Sequence, residues 1–152
     1  MSSVSGYVRF IIGVGMFTFA GSLGAVPPVN KAAPGGLAVK GYDPVAYFTL
    51  RKPTRGKRRI TLKWKGALWR FSSARNRALF RKSPYKYAPR YGGYCAWAVS
   101  QGYTAPIDPR AWSIVKGRLY LNYNRAVRKQ WEANKRNLIR KANVNWPKLL
   151  KK

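Results

Sequence analysis

Few side chains in this 152-residue chain could carry out acid–base or metal chemistry. The chain has no histidine and one cysteine, Cys95, and its only side-chain carboxylates are Asp43, Asp108 and Glu132. General acid–base catalysis relies mainly on histidine and on carboxylates, so most such schemes lack their usual groups here. A structural zinc site needs four cysteine or histidine ligands, which one chain of this composition does not supply. The sequence therefore predicts a protein that is not an enzyme and has no cofactor.

Cys95 and Asp43 are the two residues to consider for a metal site. A thiolate at Cys95 could join Asp43 or Tyr94 around a soft ion, but one thiolate without histidine is a thin ligand set for copper or zinc. A small buried hydrophobe is the commoner role of a free cysteine. We therefore predict no metal, and keep Cys95 and Asp43 as the candidates to check in the structure.

Positive charge dominates the composition. The chain has 31 Lys and Arg against 3 Asp and Glu, a formal net charge of +28. Solubility of a small domain needs a net charge of only about 2–8. The excess predicts a polyanionic partner, which could be an acidic protein surface, anionic lipid or nucleic acid. Supercharging by engineering would also account for it. The high aromatic content, 14%, favours a folded domain over disorder.

The candidate partner-binding cations form three groups along the chain: a loop before the first predicted strand, the exposed face of the first hairpin, and the last helix. They are Arg51, Lys52, Arg55, Lys57, Arg58 and Arg59, then Lys63, Lys65 and Arg70, then Arg128, Lys129, Lys135, Arg136, Arg140 and Lys141. No known DNA-reading motif accompanies them. If nucleic acid is the partner, phosphate contacts without base recognition are the expected mode.

The N-terminal segment is uncharged from residue 10 to residue 30. Residues 1–27 fit either a cleaved signal peptide or a membrane anchor, because the apolar run over residues 8–26 just reaches the length of a membrane span, about 17–25 residues. We expect a retained anchor and a periplasmic or equivalent exported location, with a mitochondrial location as the alternative. Residues 28–40 are predicted to be a linker.

Residues 41–152 predict a small α+β domain of two β-hairpins packed with three or so helices, preceded by an N-terminal hydrophobic helix. Alternating apolar residues indicate one hairpin over residues 60–71 and a second over 111–123, turning at Lys116-Gly117. Helices are predicted from Ser72 or Ser73 to Lys82, over residues 94–99, and from Asn124 to Ala142, with residues 146–150 folding back as a tail. No internal repeat is evident in the sequence.

Two motifs resemble the exported branch of the YHS-domain family: Gly-Tyr-Asp-Pro-Val-Ala-Tyr-Phe at residues 41–48 and Tyr-Gly-Gly-Tyr-Cys-Ala-Trp-Ala at 91–98. Shorter matches extend the resemblance over residues 36–150. The wider family resembles metal-binding modules with cysteines near the first strand and at a strand-to-helix junction. Here those places read Asp43-Pro44-Val45 and Phe71-Ser72-Ser73, so the resemblance implies no thiolate metal site.

The resemblance and the charge together predict a non-catalytic, YHS-like accessory or interaction subunit, either membrane-anchored or exported. Its basic surface would dock onto an acidic membrane-complex subunit or onto anionic lipid. The main alternative is an organellar protein that binds RNA in the manner of a ribosomal protein. A metal-handling protein using Cys95 and an engineered supercharged variant are further alternatives. No small-molecule substrate is implied.

Overall fold

The structure, a computed structural model, describes residues 24–152. Within them lie six α-helices and four strands, and they confirm the predicted α+β class. In chain order these are α1 (Ala46–Thr49), β1 (Lys57–Trp64), β2 (Ala67–Phe71), α2 (Ala74–Lys82), α3 (Pro84–Tyr87), α4 (Ala96–Ser100), β3 (Asp108–Val115), β4 (Arg118–Asn122), α5 (Arg125–Ala133) and α6 (Lys135–Lys151). Short 3-10 turns cover Pro34–Gly36, Ala38–Gly41 and Arg90–Gly93.

The predicted N-terminal hydrophobic helix falls almost entirely outside the described residues. The predicted anchor ran over residues 8–26, and the structure describes the chain only from residue 24. Of the helices between residues 24 and 152, none has the length and hydropathy that a membrane span requires.

Both predicted hairpins are present, each an antiparallel pair of an eight-residue and a five-residue strand. β1 and β2 join through Lys65 and Gly66, which have φ values of 49° and 71°, and β3 and β4 join through Lys116 and Gly117 with the same values. Two left-handed residues are what a tight hairpin turn needs for its twist to match that of the strands. Lysine in the first of these positions is less favourable than asparagine, aspartate or glycine.

The predicted starts of two helices, α2 and α5, are confirmed. The Ser73 hydroxyl caps α2 by accepting the Asn76 backbone N–H at 3.1 Å. The Asn124 side chain caps α5 by accepting the Val127 N–H at 2.8 Å. Each cap satisfies one of the donors that a helix start leaves free.

The predicted single helix from Asn124 to Ala142, followed by a tail, is wrong. The backbone leaves the helical region at Asn134, with φ −135° and ψ 29°, and a separate helix, α6, continues to Lys151 with Pro147 inside it. The break lets α6 change direction and pack on α4, where Leu138, Ala142 and Leu149 are buried. Burial of this apolar stripe outweighs the cost of Pro147 inside the helix, about 3 kcal/mol.

Much of the predicted linker, residues 28–40, packs against the rest of the domain. Val29 is 2% exposed, and the Asn30 N–H donates to the Gly92 carbonyl at 2.8 Å. Further along, Leu37 forms a parallel bridge with Leu68 of β2, and Ala38 is buried. These contacts make the segment part of the folded body.

A structural repeat organises the chain, although none is evident in its sequence. β3, β4 and α5 begin at residues 108, 118 and 125, each 51 positions after the starts of β1, β2 and α2 at 57, 67 and 74. The register slips at the same place in both hairpins, between Lys57 and Thr61 in β1 and between Asp108 and Trp112 in β3. Hairpin, cap and helix therefore recur as one unit, which we call the first half (residues 38–82) and the second half (residues 90–133).

Each half begins with three consecutive left-handed residues. The first turn, Val39–Gly41, has φ values of 50°, 51° and 82°, and the second turn, Tyr91–Gly93, has 56°, 62° and 79°. A tyrosine follows each turn, Tyr42 and Tyr94. Left-handed conformations cost about 1–2 kcal/mol at residues other than glycine, so packing and hydrogen bonds must hold Val39 and Lys40 in place.

The two halves contribute to two apolar clusters. The larger cluster contains side chains of both hairpins and of the helices α1 and α2. Its large buried members include Tyr47, Trp69, Phe71, Phe80, Leu119 and Leu121. The smaller lies under α5 and α6 and contains Tyr91, Val99, Tyr120, Trp131, Leu138, Ala142 and Leu149. The first half is therefore covered on the side that faces the larger cluster. The second half is covered by α6 as well.

Candidate anion-binding sites

The first turn forms the edge of a groove rich in positive charge. Two adjoining cavities, of about 630 and 780 Å³, share Lys40 and Arg55 among their lining residues. We call them together the basic groove. Its cations are Lys40, Arg55, Arg58, Arg70 and Arg110, and they are accompanied by Asn30, Tyr42, Ile107, Asp108 and Tyr123. Elements from both halves and the preceding segment therefore meet here.

Arg70 is the most constrained cation of the groove. It stands on β2 and is only partly exposed, and its Nε atom is buried without a hydrogen bond to any residue that the structure describes. The backbone at Gly56 approaches so closely that a Cβ atom there would overlap the Cβ of Arg70. On the other side, a Cβ at Gly41 would lie 3.6 Å from an Arg70 terminal nitrogen. Gly56 thus lies against the Cβ and backbone of Arg70, and Gly41 lies beside its guanidinium.

A second cation of the groove is supported by an aromatic ring. The Arg55 guanidinium carbon lies 5.1 Å from the centre of the Tyr42 ring, within the range of a cation–π interaction. The Asp43 N–H and the Gly56 N–H donate to the Thr54 and Gly41 carbonyls at 2.8 and 2.9 Å. These bonds fix the chain on both sides of Arg55 against the first turn.

The groove has one carboxylate, and it is already paired. Asp108 accepts from the Arg110 Nε at 3.1 Å and from a terminal Arg110 nitrogen at 3.2 Å. Partial burial opposes ionisation, but the hydrogen bonds and charge of Arg110 prevail and lower the pKa of Asp108. Four cations of the groove, Lys40, Arg55, Arg58 and Arg70, therefore face it with no carboxylate partner among residues 24–152.

A second cationic cavity, of about 600 Å³, lies between the β3–β4 hairpin and α6. We call it the α6 pocket. Its floor is apolar and its rim carries only positive charge; the residues are Val115, Tyr120 and Ile139, then Arg90, Lys116, Arg118, Lys135, Arg136 and Arg140. Lys135 and Arg136 lie in the first turn of α6, where the helix dipole disfavours cations. Local stability is therefore lower than acidic residues would give at this helix start.

The predicted binding residues divide between these sites and the open surface. The groove gathers Arg55, Arg58 and Arg70, the α6 pocket gathers Lys135, Arg136 and Arg140, and two other cavities take Lys63 and Lys65. The remaining predicted residues are exposed, except Arg128; they are Arg51, Lys52, Lys57, Arg59, Lys129 and Lys141. Arg128 donates to Glu132 at 3.1 Å and to the Ser113 hydroxyl at 3.2 Å, so its guanidinium is already engaged.

Sequence reasoning missed several cations of both cavities. Lys40 and Arg110 line the groove, and Arg90, Lys116 and Arg118 line the α6 pocket. Each is an isolated cation outside the three groups recognised along the chain. A spacing of two residues from Asp108 was the one local signal for Arg110. The others come together only through the fold.

All three side-chain carboxylates of the protein are engaged within it. Asp43 is fully buried and accepts five hydrogen bonds, and Asp108 is held by Arg110. Glu132 accepts from the Ser113 hydroxyl at 2.6 Å and from Arg128. The Ser113 hydrogen bond, with the charge of Arg128, lowers the pKa of Glu132. No side-chain carboxylate among residues 24–152 is left to neutralise the remaining surface cations.

The two candidate metal ligands, Asp43 and Cys95, have protein partners for their polar atoms. Both oxygens of Asp43 are occupied by donors from Val45, Ala46, Ser72 and Asn76. The Cys95 Sγ lies 3.6 Å from the Asn122 Oδ1, and burial raises the pKa of the thiol, which favours the protonated form. Over residues 24–152 no three His, Cys, Asp or Glu side chains come together as a metal site would require.

Comparison of the chain with family models, with curated proteins and with solved structures gives no match. The resemblance to the YHS-domain family therefore stays a prediction from the motifs at residues 41–48 and 91–98.

Proposed function

We propose that this protein is a non-catalytic, YHS-like interaction subunit that docks through its basic surface onto an acidic membrane-complex subunit or onto anionic lipid. The observation that supports this most strongly is the state of the carboxylates. All three are buried or paired inside the molecule, while the cations of the groove and of the α6 pocket face outwards. The proposal includes an exported location and anchoring through residues 8–26.

Electrostatics give the physical reason. Converging cations repel one another in the folded state, and an external anionic surface removes that repulsion when it binds. Near an anionic membrane leaflet each basic residue gains about 1 kcal/mol, so a few of the α6 pocket cations acting together would bind firmly. The apolar floor of that pocket suits a lipid or protein surface that carries apolar groups beside its charges.

An RNA-binding role in an organelle is the second candidate, and two observations favour it. The two cationic cavities lie on different elements, one at the first turn and one at α6, as in a protein surrounded by a polyanion. Exposed aromatic side chains accompany the charge: Tyr85 is 67% exposed, and the Lys65 amine lies 4.7 Å from its ring centre. Such pairs can stack on unpaired bases.

Fractionation of the native source tests the proposal. Membranes are sedimented, extracted with a mild detergent, and sized before and after treatment with active or heat-inactivated nuclease. We expect the protein in the membrane fraction, and after extraction in a particle that active and inactivated nuclease leave equally intact. Collapse of the particle with active nuclease alone would overturn the proposal and support the RNA-binding role.

A charge variant tests whether the surface itself is responsible. Changing Lys135, Arg136 and Arg140 to glutamine should release the protein from the detergent-extracted particle at lower salt than the unchanged protein. A matched control changes Arg51, Lys52 and Arg59, which are equally charged and exposed but lie outside the α6 pocket. Equal release by both variants would show that total charge, and not this surface, governs docking.

A further inference from the structure

We propose that the basic groove holds a discrete binding site for one phosphoryl group, centred on Arg70 and flanked by Lys40, Arg55 and Arg58. This goes beyond the docking function, because a discrete site binds one anion saturably, whereas a docking surface responds to the total charge. The site is independent of the α6 pocket and of any membrane anchor.

The setting of Arg70 is the first argument. A guanidinium with a buried, unpaired Nε normally finds a partner, since an unsatisfied buried donor costs about 1–3 kcal/mol. Arg70 has none among residues 24–152, although Asp108 lines the adjoining cavity. Its Cβ and backbone pack against Gly56, and its guanidinium lies beside the first turn at Gly41. Arg70 therefore lines the groove with hydrogen-bonding capacity that residues 24–152 leave unused.

The second half shows what the same backbone looks like without such a site. In the repeated register Arg70 pairs with Thr61, and the matching pair of the second hairpin is Leu121 with Trp112. Leu121 is fully buried. A leucine thus fits this strand position, so the unit itself does not require an arginine at Arg70.

The turns of the two halves also differ in their surroundings. A Cβ atom at Gly92 of the second turn would overlap the Pro28 carbonyl oxygen, because residues 28–30 lie directly over this turn. The Asn30 N–H and side-chain amide bind the Gly92 and Gly93 carbonyls at 2.8 and 3.3 Å. The first turn is held instead by the Gly56 N–H, which donates to the Gly41 carbonyl at 2.9 Å, and its Val39 and Lys40 line an open cavity of about 630 Å³.

The donor set points to a phosphoryl group. Three guanidinium groups and an amine line one cavity, and guanidinium forks match the oxygen pairs of phosphate. The four cations of this cavity repel one another, and a group with two negative charges offsets more of that repulsion than a single carboxylate does. Free phosphate, diphosphate and the phosphate of a nucleotide share this chemistry, and Tyr42, which lines the adjoining cavity, is the aromatic side chain that a base could contact.

Calorimetric titration of the full-length protein in a neutral detergent tests the site, with pyrophosphate and adenosine monophosphate as probes at fixed ionic strength. We expect one anion per protein. Arg70→Leu, which introduces the residue of the second half, should weaken binding at least about tenfold, as expected for losing a charged hydrogen-bond donor. Arg59→Leu removes the same charge from an exposed position on the neighbouring strand and should change binding by less than about twofold.

Further variants keep the result decisive. Arg70→Lys keeps the charge but loses the guanidinium fork, so its affinity for the anion should lie between the affinities of Arg70→Leu and Arg59→Leu. If Arg70→Leu does not fold, Arg58→Gln, which alters only an exposed side chain of the groove, should still weaken binding more than Arg59→Leu. Inorganic phosphate is titrated as a third probe: tighter binding of adenosine monophosphate than of phosphate would assign the site to a nucleotide, and equal binding to a phosphoryl group alone. Equal weakening by Arg70→Leu and Arg59→Leu, or the lack of saturable binding, would overturn the proposal.

Discussion

The two halves of the molecule connect their turns to their hairpins with different polar groups. In the first half the Asp43 carboxylate, just after the turn, accepts from the Ser72 N–H, the Ser72 hydroxyl and the Asn76 amide at 2.7–2.8 Å. In the second half the Asn122 side chain, at the end of β4, accepts from the Trp97 N–H at 3.1 Å and from Cys95. The same backbone can therefore be held by an acid on the turn or by an amide on the strand.

The outer faces of the halves differ more than their interiors. The second turn is covered by residues 28–30 and packs through Tyr91 against Trp146 of α6. The first turn borders the basic groove and has Lys40 exposed at its edge. The second turn is therefore enclosed by the N-terminal segment and α6, whereas Lys40 of the first turn stands at the edge of an open cavity lined by cations. Binding is accordingly expected at the first copy.

The largest expected effect concerns the polar connections. Asp43→Ala leaves several buried donors without a partner and should lower the free energy of unfolding by at least about 3 kcal/mol. Asn122→Ala removes fewer bonds, and its buried Nδ2 has no partner among the described residues, so about 1–2 kcal/mol is expected. Urea denaturation of both variants measures the difference. Equal losses would show that the two connections carry equal weight.

The next effect concerns the turns. Gly92→Ala adds a Cβ where the Pro28 carbonyl lies and also strains a φ of 62°, so we expect a loss of about 2–4 kcal/mol. Gly41→Ala strains a φ of 82° but meets only side chains at 3.5 Å or more, which predicts about 1–2 kcal/mol. Thermal unfolding ranks the two. A larger loss at Gly41 would contradict the view that the second turn is the covered one.

The pH dependence of stability tests the ion pair of the second half. The pKa of Glu132 is lowered in the folded protein, so its contribution to stability is present above the unfolded pKa, near 4.5, and is lost as the pH falls through the folded pKa. Glu132→Gln should flatten this part of the curve and leave stability between pH 6 and 8 nearly constant, since the chain has no histidine. The pair is partly exposed, so the effect is modest. An unchanged acid limb in Glu132→Gln would contradict this assignment.

The smallest effect comes from copying the ion pair of the second half into the first. Arg128 and Glu132 on α5 correspond to Arg77 and Arg81 on α2, where the pair is of like charge. Arg81→Glu should gain a few tenths of a kcal/mol from an i,i+4 pair with Arg77, partly offset because a carboxylate in the last turn of α2 opposes the helix dipole. In an Arg77→Ala background the gain should shrink to the effect of net charge alone. The same gain in both backgrounds would mean that no pair forms.

Local signals predicted the parts of the fold that depend on neighbours in sequence. Alternation marked both hairpins, Lys116-Gly117 marked the turn of the second, and Ser73 and Asn124 marked helix starts. The break at Asn134 was missed, because the apolar stripe of α5 and α6 continues through it and only packing on α4 separates the helices. The repeat was missed because the halves share backbone positions but few residues.

The candidate sites were predicted only in part for a similar reason. Clusters of cations along the chain identified Arg55, Arg58 and Arg70 of the groove, but not Lys40 and Arg110, which also line it and come from separate elements. Charge along the sequence predicts an anionic partner. Which cations face one cavity is decided by the turns and hairpins that position them.

The most direct test of the difference between the halves is a two-dimensional ¹H–¹⁵N NMR titration of the full-length protein with pyrophosphate. If the open first turn is the binding copy, resonances of residues 39–42, 55–58 and 70 shift and saturate together, while those of residues 91–94 stay in place. Equal shifts at both turns, or small unsaturated shifts spread over all exposed basic residues, would contradict this account.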